Sequence, residues 1–116
     1  MYNIADRHDQ VFGQIHTGCD TPDCQSTPVT GAFVDLFRDM PTLGVVASAS
    51  EAKAVSDQHG SYELAADVGS HVVCVGDEPA GGGFVPRSCT TITVTAHAVT
   101  RIDYAYGPDG GRWYVP

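Results

Sequence analysis

Stretch 57–75 constrains the fold of this chain more than any other, because it holds two strand starts in immediate succession. Asp57 and Gly60 bracket a tight turn: an Asp side chain accepts local backbone N–H bonds, and Gly tolerates positive φ. Tyr62 and Leu64 alternate away from that turn, which predicts a half-buried strand over Ser61–Ala65. Gly69 and Ser70 repeat the device ahead of His71, Val73 and Val75, whose spacing and β-branched residues suit a pleated surface. Two adjacent antiparallel strands are predicted, at 61–65 and 70–75.

The rest of the chain supplies short apolar runs between turns, with 13 Gly and 7 Pro in 116 residues. That length accommodates one domain with one core, and the turn density points to a sandwich or barrel in preference to a helical bundle. No run approaches the ~20 apolar residues of a membrane-spanning helix, so membrane insertion is not expected. Net charge is −8, and the six cations Arg7, Arg38, Lys53, Arg87, Arg101 and Arg112 are scattered among 14 carboxylates. Binding a phosphate backbone needs clustered cations, so nucleic acid is not an expected partner. Four Cys, an even number in a small chain, point to an oxidising, extracytoplasmic setting: secreted, periplasmic or cell surface. Residues 1–6 carry no apolar signal region.

Residues 1–10 are polar and predict a flexible leader. Residues 11–17 follow as Val-Phe-Gly-Gln-Ile-His-Thr. Cys19 and Cys24 then close a short loop, as a disulfide or as two metal ligands; with no second Cys pair at zinc-finger spacing and no nearby His pair, the disulfide is favoured. Over 29–37, Ala32, Val34 and Leu36 alternate with Phe33, Asp35 and Phe37. Asp35 marks its own set as the wet face, which leaves Phe33 and Phe37 as a partner-binding patch or as a pair lying beneath a loop. Residues 45–49 predict another strand and 50–54 a small insertion. Residues 76–88, with Pro79, Gly81, Gly82, Gly83 and Pro86, read as a loop. Cys74 and Cys89 flank it as a second disulfide, which closes about 15 residues and contributes on the order of 3 kcal/mol by loop entropy. Strands follow at 90–95 and 99–106, with a turn at 96–98. Residues 107–111 predict a Gly-rich hinge before an aromatic tail ending at 116. Trp113, whose ring buries of order 200 Å², is expected to fold back over Phe33 and Phe37. The predicted core is Ile15, Val34, Leu36, Tyr62, Leu64, Val73, Val75, Ile92, Val94 and Ile102.

Several of these motifs together carry a resemblance. Asp57-x-x-Gly60-x-Tyr62-x-Leu64, then Gly69-x-x-x-Val73-x-Val75, preceded by Gly13-x-Ile15 and Gly31-Ala32-x-Val34-x-Leu36, resembles the carboxypeptidase regulatory-like domain. The resemblance spans 11–106 and implies an all-β, seven- or eight-stranded antiparallel Greek-key β-sandwich of the transthyretin (prealbumin-like) type. In larger proteins such a domain is an accessory module that supports folding or mediates interaction. The resemblance therefore implies a non-enzymatic extracytoplasmic module for binding or structural support, with a protein or glycan partner.

The alternative is a small metal-dependent or hydrolytic enzyme on the same scaffold. His16, His59, His71 and His97, with Tyr62, Tyr104 and Tyr106, are the residue types that bind ferric iron in intradiol dioxygenases, but the iron-binding motif of that family is not recognisable. His71 stands in the inward phase of its strand, where a hydrogen-bonded core His is expected. Hydroxyisourate hydrolases end in Tyr-Arg-Gly-Ser, whereas this chain ends Arg112-Trp113-Tyr114-Val115-Pro116. No nucleophile-elbow pattern places Ser88 beside a base, with Asp103 as its third member. The single Lys, Lys53, and the single Asn, Asn3, fall outside the expected core strands, which excludes a Lys–Asn cross-link. No catalytic residue, metal or cofactor is expected, and the candidate partner-binding surface is Phe33, Phe37 and Trp113.

Overall fold

Period-2 alternation becomes nine strands in the computed structural model, which describes residues 9–18, 26–107 and 110–116. They are β1 (Asp9–Thr17), β2 (Phe33–Phe37), β3 (Ala52–Val55), β4 (Ser61–Ala65), β5 (Gly69–Asp77), β6 (Val85–Val94), β7 (Ala98–Arg101), β8 (Asp103–Gly107) and β9 (Gly110–Tyr114). Among the described residues there is no helix. One sheet has the order β4-β1-β8-β9, with β7 also paired to β1; the other has the order β3-β2-β5-β6. All ten predicted core residues are buried between the sheets in one cluster, joined by Val11, Ala32, Ala66 and Tyr104. The Asp57–Gly60 turn forms as its residues dictate: Asp57 Oδ1 accepts from the N–H groups of His59 and Ser61 at 2.8 and 2.9 Å. Those two donors hold the exposed Asp57 carboxyl below the usual carboxylate range.

Several local expectations are corrected. The sheets are not wholly antiparallel, because β1 runs parallel to both β7 and β8 along one edge. Stretch 99–106 is two strands, broken at Ile102, whose N–H bonds Phe12 O while its carbonyl lies against Gly13 so closely that a Cβ there would stand 1.9 Å away. The strand expected at 45–49 is reduced to a single bridge, Ala47 to Phe84, and the strand lies instead at Ala52–Val55, where an insertion was expected. Much of 76–88 is strand as well. β5 continues to Asp77 and β6 begins at Val85, so Cys74 and Cys89 do not flank a loop but face each other in register, 4.1 Å apart at Cα and bonded. Cys19 and Cys24 lie outside the described residues, as do residues 1–8 of the expected leader.

The expected hinge and tail contribute a strand. Gly110–Tyr114 pairs antiparallel with β8, which sets Trp113 opposite Tyr104 with ring centroids 4.8 Å apart, packed on the main core. Trp113 thus docks on the five-stranded sheet and not over Phe33 and Phe37. Trp113 is the only tryptophan, so its emission is expected to be blue-shifted and poorly quenched by iodide, and Tyr104→Ala should red-shift it; an emission unaffected by that substitution would contradict the pairing.

Asp35 reverses its expected role. It is 0 % exposed and so does not mark a wet face. The outer face of β2 is covered because segment 38–50 and the segment after β5 fold across it, joined by Ala47 N–H to Phe84 O and Gly44 N–H to Pro86 O, both at 2.8 Å. Phe84, Phe37, Val72 and Cys74 form a second apolar cluster there. Burial pushes the Asp35 carboxyl above the usual carboxylate range, against the pull of Lys53 and Ser50. The native state therefore holds this proton more tightly than the unfolded chain, so the contribution of Asp35 to stability is fully present below pH 3.8 and is lost as pH rises through the folded value. Asp35→Asn is expected to be more stable than the parent at neutral pH and equal to it below pH 3.8. Urea unfolding across that range checks the sign, and a less stable variant at neutral pH would refute it.

Candidate functional site

On the outer face of the five-stranded sheet, alternation along β1 turns Gln14 and His16 away from the core that takes Val11 and Ile15. The β8–β9 register sets Asp103 opposite Tyr114 on the same face. Ser26, Pro28 and His59, the last from the turn before β4, complete a cleft of about 420 Å³. The polar groups in it are already arranged. His16 Nδ1 lies 3.0 Å from its neighbour's carbonyl, Thr17 O, and therefore donates, which leaves Nε2 to accept the Tyr114 hydroxyl. Burial first, and then the charge of Asp103, push the Tyr114 phenol above its ordinary value, so it stays protonated and donates. Arg112 stands over the Tyr114 ring at 5.6 Å. Asp103, 3 % exposed, accepts from Gln14 N–H and from two nitrogens of Arg101, all at 3.1 Å. Its charge is thus neutralised by a forked guanidinium pair. The cleft offers an acceptor nitrogen held beside a phenol, and hydroxyl and amide groups at its rim: enough to bind a polar ligand or to move a proton.

The structure brings together only some of the residues weighed from sequence. His16 and His59 share this cleft. His71 is a buried core residue, as expected, with Nδ1 at 2.7 Å from Glu51 Oε1 and Nε2 at 2.6 Å from Asp67 O. His97 occupies the turn before β7 with φ of 59°. The Tyr62 hydroxyl donates to Ile102 O at 2.6 Å, and burial pushes its phenol far above the ordinary range. Tyr104 and Tyr106 meet edge to face at 5.0 Å. Ser88 sits on β6 in the opposite sheet, away from Asp103 on β8. Among the described residues, no three His, Cys, Asp or Glu side chains converge as a metal-binding group.

Phe33 and Phe37 lie on the covered outer face of the four-stranded sheet. Phe37 is buried, with its ring centroid 5.8 Å from that of Phe84, and Phe33 packs at the edge of the same cluster. Of the two readings weighed for the pair, lying beneath a loop is the one the structure shows. The covering segment itself presents apolar surface: Met40, Leu43, Val45 and Val46 are each more than half exposed. A groove of about 440 Å³ runs along it, with Phe37 and Ala47 in its wall. Sequence reasoning missed this surface by reading 45–49 as a strand; the signal was present in Pro41 and Gly44, which interrupt strand pairing. It also missed the pairing of Tyr114 with His16, which depends on a hairpin that the glycines at 107, 110 and 111 had suggested was a hinge. Comparison with protein-family models, with curated proteins and with solved structures finds no match.

Proposed function

We propose that this chain is a non-enzymatic, extracytoplasmic β-sandwich module of the carboxypeptidase regulatory-like type, with that family's Greek-key order, serving to bind a protein or glycan partner or to support a larger assembly. The observation that carries this reading is the apolar surface of segment 38–49, where Met40, Leu43, Val45 and Val46 stand exposed and Val45 and Val46 line a groove. Grouped apolar side chains on an otherwise acidic surface mark a contact site. Phe37 lies in the groove wall and Phe33 nearby, whereas Trp113 belongs to the other sheet. The Cys74–Cys89 bridge is compatible with an oxidising compartment. The test compares the parent with a Leu43→Asp/Val46→Asp double variant, whose changes are at exposed positions, on a glycan array and against extracellular protein fractions. A partner retained by the parent and weakened tenfold or more by the double variant supports the reading. Equal retention by both, or no partner for the parent, overturns it.

The His16–Tyr114 cleft supports the second reading, a small hydrolytic enzyme with His16 Nε2 as general base. Hydrolysis of a p-nitrophenyl ester panel that is abolished in His16→Gln would favour it. Equal rates for the two proteins would end it.

A further inference from the structure

Across the outer face of the four-stranded sheet, one register row reads Lys53, Asp35, Cys74, Cys89. Residues directly opposite in antiparallel strands bring their Cβ atoms to within about 4.5–5.5 Å, so the Asp35 carboxyl is the titratable neighbour of the disulfide. The two sulfurs differ in access. Cys74 is 0 % exposed within the cluster of Phe37, Val72 and Phe84, whereas Cys89 is only half-buried and belongs to β6, at the edge of its sheet. A nucleophile arriving from solvent meets Cys89 first, and the sulfur that departs is Cys74. Thiol–disulfide exchange is faster when the leaving sulfur is stabilised, and a thiolate among apolar side chains is disfavoured. The departing sulfur needs a proton from inside the fold. Asp35 is fully buried beside it, and neither of its oxygens makes a hydrogen bond of good geometry, although Lys53 Nζ stands 3.5 Å from Oδ2 and Ser50 also acts on the carboxyl.

We propose that Cys74–Cys89 is a thiol-exchange site, in which the Cys89 sulfur takes an incoming thiolate and the Asp35 carboxyl protonates the departing Cys74 sulfur. The incoming thiolate forms a bond to Cys89 Sγ as the Sγ–Sγ bond breaks, and the bonding pair goes to Cys74 Sγ with the Asp35 proton. The Asp35 carboxylate that remains faces Lys53 Nζ, 3.5 Å from Oδ2. A second thiolate from the reductant then attacks the mixed disulfide, releases Cys89 as the thiolate and leaves as the oxidised disulfide of the reductant. The protein cystine is reduced by two electrons and two external thiols are oxidised. Four groups face the carboxyl: Lys53 from β3, Ser50 from the segment before it, Glu78 from the turn after β5, and the disulfide from β5 itself. Burial keeps the carboxyl protonated to higher pH than a surface Asp, which makes it a donor. The β5–β6 ladder extends from Gly69 to Asp77 on both sides of the bridge, so the reduced protein is expected to keep its sheet.

The test reduces the intact chain with excess dithiothreitol and follows free thiols by alkylation and mass spectrometry, with each rate divided by the concentration of dithiothreitol thiolate. For the parent, this corrected rate is expected to fall as pH rises through the titration of Asp35. Asp35→Asn should be tenfold or more slower at the low-pH end and should lose that fall. Lys53→Met, a change at an exposed position, should move the fall to higher pH by removing the cation that favours the carboxylate. Brief treatment with glutathione should place the mixed disulfide on Cys89. A parent profile unchanged in both variants, a mixed disulfide on Cys74, or loss of the strand signal in circular dichroism on reduction would each overturn the proposal.

Discussion

Gly60→Ala is expected to destabilise the protein by on the order of 4 kcal/mol, in the range reserved for collisions and backbone strain. Two effects add at this position. Gly60 has φ of 76°, where an L side chain costs about 1–2 kcal/mol. A Cβ on it would also stand 2.4 Å from Ile15 O and 3.2 Å from Pro28 Cβ, and the first of these is backbone that cannot swing aside. The turn is pinned there from both sides, because Ile15 N–H donates to Gly60 O at 2.7 Å and Gly60 N–H donates to Asp57 O at 2.9 Å. Gly31 separates the two effects: its φ is 81°, yet nothing lies within 4 Å of an added Cβ. Gly31→Ala should therefore show the conformational part alone, about 1–2 kcal/mol. Urea unfolding of both variants measures the difference. Equal losses would mean that the turn does not seat on β1 as described.

Leu64→Ala should lose about 2–5 kcal/mol, the range for a buried Leu whose site collapses only in part. Leu64 is 1 % exposed, and β4 places it opposite Val11 at the heart of the cluster between the sheets. Against a total margin of ~5–15 kcal/mol such a loss consumes a large share of the stability. Val68→Ala, in the exposed turn after β4, is the control and should stay within about 0.5 kcal/mol. A loss below about 1 kcal/mol for Leu64→Ala would put Leu64 on the wrong face of its strand.

That strand phase was legible from the residues because period-2 alternation is a local property: Tyr62 and Leu64, Val73 and Val75, Ile92 and Val94 each point to the core for reasons contained within a few positions. The Asp57–Gly60 turn was legible on the same terms, through an acceptor side chain and a residue free to take positive φ. The burial of His71 followed from its place in the inward phase. The candidate cleft was legible only as a set of unconnected residues, with His16 and His59 among several histidines and no indication that Asp103 and Tyr114 would meet them.

Alternation tells two faces of a strand apart but does not say what covers the second one. Asp35 argued for water on its face, and only the folding of segment 38–50 onto Phe84 and Pro86 decided otherwise, through backbone bonds between residues about forty positions apart that leave no periodic trace. The same holds for the parallel pairing of β1 with β7 and β8, which joins the two ends of the chain, and for the break at Ile102 that fits the space above Gly13. Glycines at 107, 110 and 111 permit a hinge and a hairpin equally, and the choice falls to the strand pairing that packs Trp113 against Tyr104. The amino-acid sequence by itself determined an all-β chain with its inner core, since those follow from local periodicity and turn chemistry. The tertiary structure alone decided which outer faces are dry, placing an acid beside a disulfide and a histidine beside a tyrosine, because these neighbours depend on strand register and loop coverage between distant segments.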